Sequence, residues 1–255
     1  MIEKVGVYLD RLKNRYHRQR AFLRGKRTMP WTSDIPCISF TFDDFPRSAY
    51  LAGGKILKAH KIRASYYASL GLMGQDSPSG QLFILEDLKD LIVEGHEIGS
   101  HTYDHLEAWG TGVARFEEAI IRNQRSIEEV LPGFSFKTLS YPIAEPHPRI
   151  KKLAGRHFTC CRGGGQDNNR GRIDLNLLKS CFIDRRNRDD ADYFKALIKK
   201  NSLEKGWLIF STHDISERPS AYGCRPDQFE NIVRSAISST AIILPLCEIY
   251  LRTVK

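Results

Sequence analysis

The sequence predicts an α/β protein built on a mostly parallel sheet, open or closed into a barrel. Three observations carry that expectation. From Ile35 onward, short apolar or β-branched runs alternate with stretches of helical periodicity, the pattern of successive strand–helix units. The chain has 255 residues, a size that one α/β barrel fills. Reactive side chains also cluster at the ends of three of the runs, where parallel sheets present their functional groups.

Residues 3–27 come first and differ in composition from the rest. Val5, Tyr8, Leu9, Leu12 and Tyr16 recur at helical spacing among nine Lys and Arg residues. Such a helix either lies on an anionic membrane surface or packs its narrow stripe on the domain with its charges in solvent. The chain thus divides into a basic amphipathic segment, 1–30, and a larger domain, 31–255. Strands are expected near 37–42, 64–70, 97–101, 137–141, 157–161, 180–184, 207–212 and 241–244. Helices are expected near 49–60, 85–94, 113–131, 190–204 and 226–238. The third helix is the clearest, with Phe116, Ile120, Ile127 and Leu131 along one face before Pro132-Gly133. Gly163 to Gly171 is a loop by composition.

Apolar residues make up 41% of the chain and charged residues 27%, enough to bury a full core and to exclude global disorder. The net charge of +9 favours anionic glycans, phosphorylated sugars, membrane surfaces or nucleic acid, unless it is only a solvated basic surface. No nucleic-acid-binding motif accompanies it, so nucleic acid is not expected. The six Cys include no Cys-x-x-Cys pair, and most of them read as core thiols of a reducing compartment. The first thirty residues hold no uninterrupted apolar stretch, and no run of about 18 apolar residues occurs elsewhere. The expected location is cytoplasmic, or peripheral at the inner membrane face.

The chemistry lies in two short motifs, Thr41-Phe42-Asp43-Asp44 and His101-Thr102-Tyr103-Asp104-His105, each following a strand-like run. Two His and one Asp suit a catalytic divalent metal with an open position for water, and the second Asp is then free as a base. A third run, Trp207 to Thr212, ends in His213-Asp214. Three such groups beside a core are hard to explain structurally, because each sets desolvation-sensitive side chains against apolar surroundings. The combination points to metal-assisted hydrolysis.

Over roughly residues 35–245 these motifs resemble those of the polysaccharide deacetylase family, the NodB-homology or carbohydrate esterase family 4 hydrolases. The resemblance implies a distorted (β/α) barrel of mostly parallel strands that removes N-acetyl groups from a saccharide. It makes Asp43 the base and Asp44, His101 and His105 the ligands of a divalent metal, usually zinc. The fifth family motif, Leu-x-His, corresponds to Phe210-Ser211-Thr212-His213, with Ser or Thr where Leu lines the acetyl pocket. His213 is then the general acid, unless it is a core His bonded to Asp214. The third motif corresponds to Leu139-Ser140-Tyr141-Pro142, so Ser140 stands where an Arg normally steadies the base. Lys179 and Arg162 compete as its substitute. The Tyr141 backbone N–H is implied as the oxyanion donor.

Tyr222, Pro142 and Arg162 are candidate substrate contacts, Tyr222 by stacking on a sugar ring. His17 and His60 read as exposed, His96 as structural and His147 as part of the rim, while Asp104 points away from the metal ligands or supports one. The expected substrate is an intermediate of an exported polysaccharide, lipopolysaccharide or lipo-oligosaccharide, with N- and O-deacetylation both open. Two rivals stand beside this reading. One is a hydrolase of the same superfamily acting on a small non-sugar amide or imide. The other is a glycan-binding relative weakened by loss of the Arg.

Overall fold

Eight parallel strands form the centre of the computed structural model, which describes residues 15–143 and 145–253. In chain order the strands are β1 (Thr28–Pro30), β2 (Cys37–Phe42), β3 (Ser65–Ala68), β4 (Asp76–Ser77), β5 (Gly80–Gln81) and β6 (Glu97–Ser100). They continue as β7 (Thr138–Ser140), β8 (Cys160–Arg162), β9 (Arg172–Asp174), β10 (Cys181–Phe182), β11 (Trp207–Thr212) and β12 (Ile242–Ile243). The main sheet runs β10-β11-β2-β3-β6-β7-β8, with β12 also against β2. Residues 175–183 span the gap between its two edges. Leu178 N–H donates to Cys161 O (2.8 Å) on one side, and Ile183 N–H to Ser211 O (2.8 Å) on the other. The sheet is therefore curled into the distorted (β/α) barrel that the motifs imply.

β2 and β11 are buried at every position, as expected of parallel strands covered on both faces. Phe40 and Phe210 stack across them at 5.5 Å. Their polar side chains are satisfied internally: Thr41 Oγ1 donates to Phe210 O (2.7 Å), and Ser39 Oγ to Leu244 O (2.8 Å).

The expected helices occur at 49–59, opening with a π-helical turn, and at Leu85–Val93, Val113–Val130, Ala191–Glu204 and Pro226–Ser238. Two further helices, Pro148–His157 and Leu246–Thr253, escape sequence reasoning. The first hides in Glu145-Pro146-His147-Pro148, which reads as loop. Pro148 instead occupies the first helical turn, and His147 Nδ1 accepts from Arg149 N–H (3.2 Å) as the cap. Because this helix runs through His157, the strand expected at 157–161 is displaced to Cys160–Arg162. Arg162 thereby becomes a strand-end residue.

The described part of the N-terminal segment is a helix over 15–23, docked on the barrel. Ala21 is fully buried and Phe22 packs against the core. Lys151, itself without solvent exposure, contacts Asp174 Oδ2 (2.5 Å), Ala21 O (2.6 Å) and Arg24 O (3.0 Å). The membrane-surface reading finds no support in this docked portion, and the stripe from Val5 to Leu12 lies outside the described residues. No described helix is long and apolar enough to cross a membrane. All six cysteines are free, and burial pushes the Cys161 thiol up to about 12.

Replacing Lys151 with Met strands the Asp174 carboxylate and two carbonyls. The expected cost is about 3 kcal/mol of unfolding free energy, read from the midpoint shift in a urea titration. An unchanged midpoint contradicts the anchoring role.

Candidate active site

Asp43 and Asp44 leave β2 at its C-terminal end, and the backbone there decides their separate fates. Asp43 N–H still follows the ladder, donating to Thr212 O (2.9 Å). Asp44 (φ 58°) and Phe45 (φ 48°) then turn left-handed. Successive side chains of a strand point to opposite faces, and this turn brings both carboxylates back to one rim.

Asp43 is 5% exposed and bonded on both oxygens. Arg162 Nη2 donates to Oδ1, and Ser211 Oγ to Oδ2 (3.0 Å). Burial works against its charge, but Arg162, followed by His101 and His213, outweighs burial and holds the carboxyl well below the usual range. The Arg162 guanidinium is itself buried and lies 4.7 Å over the Tyr67 ring.

His101 and His105 follow β6 on a second left-handed stretch, with Thr102 at φ 61° and His105 at φ 52°. His101 Nδ1 lies 2.8 Å from Ser140 O. A carbonyl only accepts, so Nδ1 carries a proton, and Nε2 faces Asp44 Oδ1 at 3.3 Å. His105 Nε2 lies 3.1 Å from the same oxygen. The donor atoms of Asp44, His101 and His105 lie within 4.8 Å of one another, and Asp44 Oδ1 is buried without a hydrogen bond. Two imidazoles and one carboxylate fit a divalent transition ion such as zinc.

His213 completes the rim from β11, its Nε2 3.7 Å from Asp44 Oδ2 and its ring 5.3 Å from that of Tyr222. It is no core histidine paired with Asp214, whose carboxylate accepts instead from Ser220 N–H (2.8 Å) and Ser220 Oγ (2.5 Å).

Four expectations need correction. Lys179 Nζ pairs with Asp167 (3.0 Å), so the cation beside Asp43 is that of Arg162. Tyr141 N–H donates to Arg162 O (3.0 Å) within the β7–β8 ladder, which removes it as a ready oxyanion donor. His17 is not simply exposed: it stacks on Trp109 at 3.6 Å and 17°. Pro142 is buried and outside the cleft lining, whereas Arg162 and Tyr222 line it. Asp104 faces Arg122 at 3.9 Å, away from the ligand set. Ser211 is the functional residue that sequence reasoning missed. Its place two residues before His213 was the available signal.

The cleft over these groups holds about 670 Å³. A larger cavity of about 1060 Å³ between helices 191–204 and 226–238 contains none of the strand-end groups.

Fold and site together define a class: parallel α/β barrels with an Asp-His-His donor set beside a buried carboxylate. Residues 32–157 match the family described as polysaccharide deacetylase. A chitooligosaccharide deacetylase of Sinorhizobium fredii is 25% identical over 118 residues, 46% of this chain and 51% of the relative. A peptidoglycan-N-acetylglucosamine deacetylase of Bacillus cereus is 30% identical over 93 residues, 36% of this chain and 40% of the relative. The chain thus spans about half or less of the length of these relatives. The chitin deacetylase of Colletotrichum lindemuthianum superposes with a TM-score of 0.60 at 15% identity, covering 88% of this chain and 91% of the other. A Bacillus anthracis CE4 family pseudoenzyme mutant with restored activity gives 0.62 at 12% identity, covering 86% and 69%. At these identities the likeness is one of fold.

His101→Ala is expected to weaken zinc binding by about 100-fold or more, while Asp43→Asn retains it. Equilibrium dialysis with metal analysis decides this, and equal zinc content in His101→Ala and the unaltered protein sinks the donor assignment.

Proposed function

We propose that this protein is a metal-dependent hydrolase that removes N-acetyl groups from a saccharide. The observation that carries the reading is Asp43, a buried anion bonded on both oxygens beside the three-donor set. Binding alone needs no such base, which speaks against a purely glycan-binding relative. Asp44, His101 and His105 would hold a divalent cation such as Zn²⁺, which when bound polarises an acyl carbonyl and acidifies water. Asp43 takes the proton of the attacking water. Arg162 and Ser211 hold that carboxylate in place and keep it charged until the transfer. His213, on the far side of Asp44, donates a proton to the departing amine.

Substrate class rests on supporting features of the cleft. Its space suits a small saccharide, and Tyr222, 55% exposed at the rim, offers a ring face. The relatives named as chitooligosaccharide and peptidoglycan deacetylases act on sugars of this kind, which favours a saccharide over a small non-sugar amide.

The test is acetate release by the zinc-loaded protein from chitin oligomers, peptidoglycan fragments, UDP-N-acetylglucosamine and lipid-linked N-acetylhexosamines. Release is expected to vanish with chelator and to fall by at least about 10³-fold in Asp43→Asn. Release that survives in Asp43→Asn is incompatible with its role as base. Arg162→Met is expected to lower kcat by roughly 100-fold with zinc retained, whereas Lys179→Ala stays within about twofold of the unaltered protein. The opposite ranking of these two variants returns the steadying role to Lys179.

A further inference from the structure

Helix 15–23 lies outside the family-matched residues, yet His17 and Arg18 line the cleft. One side of the cleft is built on the loops after β10 and β11 and reaches Tyr222. The opposite side is built on the loops after β6 and β7 and carries Trp109 and Glu145. The helix is laid across this second side. His17 stacks on the Trp109 ring, and Arg18 Nε donates to Glu145 Oε1 (3.0 Å).

Independent contacts hold the helix there. Lys151 grips the carbonyls of Ala21 and Arg24 at its C-terminal end. Gly25, at φ 66°, approaches Pro148 so closely that an added Cβ would lie 2.6 Å from the Pro148 carbonyl oxygen. Asn176 Nδ2 donates to Gly25 O (3.0 Å). This anchoring makes the helix a fixed wall.

The wall has a chemical consequence. A tryptophan face beside a saccharide cleft offers a flat apolar platform for a further sugar ring. His17 already occupies that face, and Arg18 already occupies the neighbouring carboxylate. We propose that helix 15–23 is a built-in stop on this side of the cleft, so that the site takes a short saccharide or the end of a chain and not the interior of a long polymer. The inference rests on the deacetylase reading above.

The test uses the full, zinc-loaded chain with chitooligosaccharides from dimer to hexamer. The expected kcat/KM for the hexamer lies within about threefold of that for the dimer. In the double variant His17→Ala/Arg18→Ala the hexamer-to-dimer ratio rises roughly fivefold to tenfold, because the Trp109 face is released to a sugar ring. Arg20→Ala, on the same helix but outside the cleft lining, leaves that ratio where it was.

A hexamer preference above about tenfold in the unaltered protein overturns the proposal, as does a double variant that keeps the original ratio. Calorimetric binding of dimer and hexamer to Asp43→Asn, with and without the double substitution, reads the wall without turnover. Dimer binding with no acetate release in the active-site-intact chain defeats the hydrolase reading, and the wall then stands or falls on the same ratio of affinities. Failure to bind either oligomer overturns both.

Discussion

The buried ion pair between Arg162 and Asp43 is the constraint around which the site is arranged. Burial alone raises the proton affinity of a carboxylate in this position. The guanidinium reverses that, and Ser211 occupies the second oxygen so that the anion has one orientation. Arg162 is in turn fixed by the Tyr67 ring beneath it. Removing either charged member leaves the other buried without its partner, which is strongly destabilising.

The placement of that arginine follows from strand register. Ser140 on β7 and Arg162 on β8 are direct partners in the parallel ladder. The guanidinium that the family motif places on β7 is therefore displaced sideways by one strand, about 4.8 Å, at the same height in the sheet. Arginine is long enough to cover that offset and still reach Asp43. The Ser140 carbonyl accepts from His101 Nδ1 and so orients that ring. The departure of Ser211 from Leu serves the same carboxylate, because its hydroxyl donates to Asp43 Oδ2.

Much of this was legible in the residues. Continuous apolar runs such as Cys37–Phe42 and Trp207–Thr212 announce strands buried on both faces, and their ends announce Asp43, Asp44 and His213. What stayed hidden depends on register and on chain reversals. The competition between Lys179 and Arg162 is settled by the pairing of β8 against β7, which the residues do not announce, and helix 148–157 begins at a proline inside an apparent loop and so hides where β8 starts. The turns were equally silent. Five of the nine described non-glycine residues with left-handed backbone cluster at the site: Asp44, His105 and Ile143 line the cleft, and Phe45 and Thr102 are buried next to a site residue in the chain. None is a residue type that announces such a turn except Asp and, more weakly, His. They persist because the flanking strands over-determine them, and they aim the metal-type donors inward.

The same logic extends past the family-matched segment. A barrel rim alone leaves the loops after β6 and β7 open toward solvent, and nothing in the strand-end chemistry says where a glycan must stop. Helix 15–23 answers that with contacts whose anchors are all on the barrel: Lys151, Pro148 and Asn176. Lys151 has no catalytic contact, yet it is buried at a desolvation cost that only its carboxylate and carbonyl partners offset. A charge buried for the sake of docking one helix is explicable if the helix has to be held at a fixed position. His17 against Trp109 is where that fixed position meets the cleft.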